Sequence, residues 1–240
     1  ILRRWTQLDG DRATVKSYVQ RVMEYCLPRR ATVTAQRTEG QDLHAELFDS
    51  TGETALERFA TGLYDYMWSP ARQNFMLLPP IADAPSAREG SRALQRISER
   101  ITGHLRQSNF EEAFYETALD LGSAGLATME PSRGLDSLYE FQSHPFEQIV
   151  FSENRRGRVD LVLRRFPWTA RQIVQEFGEG EDRAGKSVWQ AYQEAQGQGR
   201  ERSFELVHAA IPRAEFTAGR RDVWNMPIAS LWVSVTDKQV

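Results

Sequence analysis

Apolar positions recur every three or four residues in the first half of the chain and every second residue in much of the later half. Asp9 or Asp11 can cap a first helix running to about Cys26, with Val15, Tyr18, Val19, Val22 and Met23 on one face. Pro28 stops it. Residues 29–49 read as irregular and polar, with a short strand at "TVTAQ". A second helix starts at Ser50 or Thr51, carries the stripe Leu56, Phe59, Ala60, Leu63 and Met67, and ends before Pro70. "NFMLLPP" reads as a short buried strand and "ADAPSAREGS" as a loop. The third helix, "SRALQRISERITGHLRQ", has Leu94, Ile97, Ile101 and Leu105 as its stripe. The fourth, "FEEAFYETALDLGSAG", is capped at Ser108 or Asn109. Phe110, Phe114, Ala118 and Leu121 face inward there, and Glu111, Glu112, Glu116 and Asp120 face mostly outward.

Gly122 and Gly125 then mark a helix running into a strand with no polar loop between them. Glycine suits such a junction, because it permits close backbone approach and a positive φ. From there "GLATMEP", "SLYEFQ", "FEQIVFS" and "RVDLVLRRF" alternate as strands, and "ENRRGR" between the last two signals a hairpin turn. A helix capped by Thr169 and a second, exposed helix in "AGKSVWQAYQEAQGQG" interrupt the series before "SFELVHAAIP" and "PIASLWVSV" return to strand across a long loop. The pattern predicts an α+β fold: helices packed on a mainly antiparallel sheet with inserted helices. One domain spans 1–240, with 1–125 mainly helical and 126–240 mainly strand.

Composition is globular: 240 residues, 40% hydrophobic and 26% charged. No stretch approaches the roughly 18 apolar residues that cross a bilayer. The first residues contain no signal-peptide core and no initiator methionine, and the end stops in mid-pattern, so the chain reads as a piece of a longer polypeptide. The net charge of −3 does not suit a protein that grips nucleic acid by counterion release. Yet all but three of the 30 basic residues are arginine, consistent with a GC-rich genome or with bidentate pairing at subunit contacts.

Candidate chemistry is sparse. There is no phosphate-cradling glycine loop and no G-x-S-x-G elbow. His44, His104, His144 and His208 are scattered without metal-ligand spacing, and the single Cys26 reads as packing. Glu111, Glu112 and Glu116 could bind a cation, but acids in a helix's first turns are expected for dipole reasons alone. No catalytic residue, metal or cofactor is assigned. Arg155, Arg156 and Arg158 form a basic turn, with Arg164 and Arg165 further along the strand. They read as a solvated tip, a subunit or capsid contact, or a contact to nucleic acid.

The ordered series "YCLPRR", "GETALERFATGLYDYMWSPARQNFMLL", "ISERITGHLRQSNFEEAFYETALDLGSAGLATMEP", "SHPFEQIVFSENRRGRVDLVLRRFPWTARQIVQEFG" and "NMPIASLWVSV" resembles the portal, or head-to-tail connector, proteins of short-tailed podovirus-type bacteriophages. The resemblance spans nearly the whole chain and rests on the order of the pieces rather than on one motif. It implies a portion like the outer wing domain, without the stem, clip and C-terminal helices of a full portal. It also implies a non-enzymatic homo-oligomer, a ring of twelve at one capsid vertex, through which double-stranded DNA is packaged and ejected without sequence-specific binding. Implied partners are the capsid protein, the terminase, the tail adaptor and internal core or ejection proteins; no membrane is implied. The implied location is the virion, with the host cytoplasm during assembly. Two other readings remain open: another phage structural component, such as an adaptor or minor capsid protein, and a soluble enzyme gathering Glu111, Glu116 or the histidines in a cleft.

Overall fold

The computed structural model describes residues 1–35, 38, 40–43, 47–69, 72–79, 87–134, 137–198, 201–213, 217, 219–220, 222 and 225–237. His44, Gln36 and residues 82–86 of the loop expected at 82–91 lie outside these residues. The fold is mixed helix and antiparallel strand, as the change of period predicts. Two compact units emerge: Val15–Phe146, and Ile1–Thr14 together with Glu147–Val240.

The first of these, the helical unit, contains α2 (Ala13–Cys26) from Val15 onward, α3 (Thr51–Met67), α4 (Ala87–Gln107), α5 (Phe110–Ala124) and a hairpin of β1 (Thr128–Ser132) and β2 (Glu140–His144). One apolar cluster joins Leu27, Leu56, Ala60, Ala118 and Leu119 where α3 crosses α5. Small residues permit the close crossing. A Cβ on Gly122 would lie 2.6 Å from Leu56 Cδ1 and 2.8 Å from Phe59 Cδ1. A second cluster gathers Val19, Met23, Ala31, Val33 and Phe146. Aromatic rings continue the packing, with Phe110 edge-on to both Trp68 and Phe141.

The junction between α5 and β1 separates the two properties of glycine. Gly122 lies within the helix and supplies close approach. Gly125 ends the helix at φ 72°, ψ 0°, with its N–H donating to Leu121 O at 3.0 Å and open space where a Cβ would be. It provides the left-handed turn that lets β1 begin three residues later.

Several local expectations fail here for identifiable reasons. The first helix is two: α1 ends at Asp11, and Asp9 pairs with Arg12. Val15 and Tyr18 are exposed, leaving Val19 and Met23 to hold the core. No strand forms at Thr32–Ala35, because the Gln20 amide takes the positions a strand partner would fill: it donates to Ala31 O at 2.9 Å and accepts from Thr34 N at 3.0 Å. The expected strand "NFMLLPP" does not form over Asn74–Pro79, and Pro80 lies outside the described residues. Leu77 N–H donates to Ser98 Oγ at 2.9 Å, and Met76, Leu77 and Leu78 are exposed. That contact turns α4 so that Ser98 and Thr102 are buried while Ile97 is 45% exposed, and the helix starts four residues earlier than expected. On α5, Leu121 is exposed and Asp120 is fully buried, the reverse of the expected faces.

The sheet unit consists of α1 (Leu2–Asp11), β3 (Ile149–Glu153), β4 (Val159–Thr169), α6 (Ala170–Phe177), α7 (Glu181–Ala184), α8 (Lys186–Gln198), β5 (Ser203–Pro212) and β6 (Ile228–Ser234). The four strands pair antiparallel in sequence order. Residue alternation sends Val150, Leu163, Val207, Ala209 and Val233 to one face, against Ile1, Leu2, Trp5 and Leu8 of the α1 region. Phe166, Phe204 and Leu206 meet α6–α8 on the other. Thr169 and Gln172 close the expected N-terminus of α6 with a reciprocal capping box. The expectation of an exposed last helix is corrected: Val188 and Ala191 of α8 are buried against the sheet.

Replacing Gly125 by Val should lower the stability of the helical unit by about 1–2 kcal/mol, through the left-handed backbone alone. Asn at the same position should recover most of that loss, because it tolerates this conformation. Urea unfolding of the two variants checks the pair.

Candidate contact site

The hairpin between β3 and β4 is built by Asn154. Its Oδ1 accepts from the backbone N–H of Arg156 at 2.8 Å and of Arg158 at 3.3 Å. Its own N–H donates to Arg158 O at 2.8 Å, and Gly157 N–H closes on Asn154 O at 2.9 Å. Gly157 sits at φ 70°, and the strand register shifts between Ser152 and Glu153. This is a tight turn followed by a bulge, a geometry that favours glycine at the left-handed position. It holds the backbone rigid and leaves the side chains of Arg155, Arg156 and Arg158 in solvent.

Arg164 and Arg165 do not join them. Successive residues of β4 point to opposite faces, and both side chains are engaged inside the sheet unit. Arg164 is 9% exposed, donates through Nε to Gln148 Oε1 at 3.3 Å, and lies 4.0 Å from the Phe166 ring centre. Arg165 pairs with Glu205, diagonally across on β5 two residues from its register partner Val207, and lies over the Trp5 ring. The five arginines therefore divide into a solvent-facing trio and two that brace the strand behind it.

The other polar candidates also carry structural duties. Glu111 accepts from the buried Trp68 indole N–H at 3.0 Å. Glu116 and Asp120, one turn apart on α5, both pair with Arg30. Asp120 also accepts from Ser143 Oγ at 3.2 Å, tying α5 to β2. Sequence reading passed over Arg30, although two acids four residues apart are the spacing that one guanidinium spans. His144 is buried with Nε2 2.8 Å from Glu130 Oε2, and His208 stacks on Trp232. Burial, followed by the charge of Glu53, raises the Cys26 thiol above its ordinary range, opposite to what a reactive thiolate needs. Among the described residues, no group of three or more His, Cys, Asp or Glu could hold a metal ion, and no helix is long and apolar enough to cross a membrane.

The sequence of these elements has a counterpart among viral proteins. Residues 1–240 match the family of bacteriophage head to tail connecting proteins, and the chain belongs to that family. It is 28% identical over 233 residues to the "Probable portal protein" of Bordetella phage BPP-1. It is 24% identical over 236 residues to the "Portal protein" of Salmonella phage epsilon15. Each match covers 97% of this chain but 41% of the relative, so the chain spans well under half the length of the relatives it matches.

Reversing the three tip charges, Arg155, Arg156 and Arg158 to Glu, should leave unfolding within about 0.5 kcal/mol of wild type. Arg164→Ala should cost about 1–3 kcal/mol by removing the buried guanidinium that bonds the half-buried Gln148 and stacks on Phe166. Thermal melts of the two variants separate a surface role from a structural one.

Proposed function

We propose that this chain is the wing-like portion of a phage portal protein: one subunit of a ring, twelve copies in number, at a single capsid vertex. Viral DNA would enter and leave through the ring, and the tail would attach to it. The observation that carries this reading is the family match along all 240 residues, together with two relatives whose names call them portal proteins. The architecture supports it. A four-stranded sheet carrying helical elements on both faces is a stiff building block, and closed rings need surfaces that hold their shape.

The role proposed is structural and non-enzymatic, located in the virion and, during assembly, in the host cytoplasm. Double-stranded DNA passes without sequence-specific binding, in keeping with a net charge of −3 that offers little counterion release. Capsid protein, terminase, tail adaptor and internal core or ejection proteins are the proposed partners. The exposed trio Arg155, Arg156 and Arg158 is proposed to meet a neighbouring subunit or the capsid, where planar guanidinium groups suit bidentate pairing. Arg164 and Arg165 hold the strand that presents them.

Negative-stain electron microscopy of the full-length protein should show rings of uniform diameter with a central hole. Particles that stay monomeric across a range of salt and protein concentrations would count decisively against the reading.

A further inference from the structure

Burial fixes how α4 is turned. Ser98 and Thr102 are buried, and Leu94, Ile101 and Leu105 are half-buried. At about 100° per residue, the opposite side of the helix holds Arg92, Arg96, Arg100, Gly103 and Arg106 within an arc of about 120°. Arg92, Arg96 and Arg100 follow one another at a rise of about 6 Å, and the row to Arg106 is about 21 Å long. All four arginines are exposed, and Arg106 is braced by donating to Arg72 O at 2.8 Å. Glu99 is the only acid between Ser91 and Gln107, so this stretch sets four arginines against one glutamate in a chain of net charge −3.

The row is costly to the helix that carries it, because like charges four residues apart repel. Glu99 does not offset them: it accepts from Gln95 Nε2 at 3.1 Å, and among the described residues no acid pairs with Arg92, Arg96 or Arg100. Gly103 lies near the middle of the arc, with open space where a Cβ would be. Packing within the helical unit gives no reason for glycine there, whereas the missing side chain lets an outside surface come close to the helix backbone. The arc also lacks any apolar side chain, its other members being Glu99 and Gln107. A protein interface gathers an apolar and aromatic centre. Evenly spaced arginines without one suit a polyanion, whose phosphates they neutralise with release of counterions.

We propose that α4 contacts the phosphate backbone of duplex DNA through Arg92, Arg96, Arg100 and Arg106, with Gly103 at the point of closest approach. The choice of DNA as the polyanion rests on the portal reading, which brings duplex DNA to this protein. Phosphates carry no base information, so the contact is independent of sequence. The acidic balance of the rest of the chain confines the attraction to this helix face.

The test measures binding of a mixed-sequence DNA duplex to full-length protein by fluorescence anisotropy, from about 50 to about 200 mM salt. Wild type is compared with a triple variant, Arg92→Gln, Arg96→Gln and Arg100→Gln. A second triple variant, Arg155→Gln, Arg156→Gln and Arg158→Gln, controls for the other basic cluster. The α4 variant should flatten the slope of log affinity against log salt by about 2–3, so that wild type loses about fortyfold more affinity than the variant across this range. It should melt at the wild-type temperature or slightly above, because repulsion is relieved. Lysine at the same three positions should restore the slope, and the hairpin variant should keep it. Wild type that binds no duplex at about 50 mM salt, or an α4 variant with the wild-type slope, overturns the contact. If that variant with unchanged slope also fails to form rings, the row meets an acidic face of a neighbouring subunit instead. If it melts lower with unchanged slope, the row packs on another part of the same polypeptide. Full-length protein that stays monomeric overturns the portal reading, while the slope comparison still decides the contact.

Discussion

A strand at the margin of a sheet carries backbone donors and acceptors that water or protein must satisfy, and this requirement organises much of the molecule. It explains why Arg12 interrupts what could have been one long helix. Its guanidinium is held by Asp9 at 2.9 Å and 3.0 Å while it reaches the carbonyls of Glu147 and Ile149, so a residue near the start of the chain closes β3. It also explains why the residue before α5 is Asn109: its side chain makes no cap on its own helix and instead completes β2. In both cases a polar side chain that looks like local helix chemistry serves a strand far away in sequence.

The elements most legible in the sequence were those set by local rules. The period-two runs, the Thr169 cap with Gln172 three residues on, the turn at Asn154–Gly157 and the glycine stop of α5 all need only neighbouring residues to specify them. What stayed hidden depends on distant partners. Nothing local says that Gln20 replaces a strand for Ala31 and Thr34, or that Ser98 rather than Ile97 faces inward on α4. A strand also needs a partner, and composition at Asn74–Leu78 reports only propensity, not whether an edge is there to meet it.

The candidate site shows the same division. The Arg155–Arg158 turn was visible because Gly157 and Asn154 mark it, and its exposure follows from being a hairpin tip. Arg164 and Arg165 look equivalent in the sequence, but strand alternation gives them opposite surroundings: a phenylalanine ring and a glutamine for one, a tryptophan and a glutamate for the other. Arg30 was invisible because its acids lie 86 and 90 residues away. Family membership came from the order of many weakly marked pieces, which survives divergence better than any one side chain does.

The pairing of α1 with the sheet has a consequence for biosynthesis. Ile1, Leu2, Trp5 and Leu8 leave the ribosome long before the surface that covers them, which is made of strands beginning at Ile149. The intervening stretch, Val15–Phe146, contains its own core and can collapse as it is translated. The nascent chain must therefore carry an uncovered apolar helix for the time taken to add well over a hundred amino acids. That interval is when a holdase has something to bind.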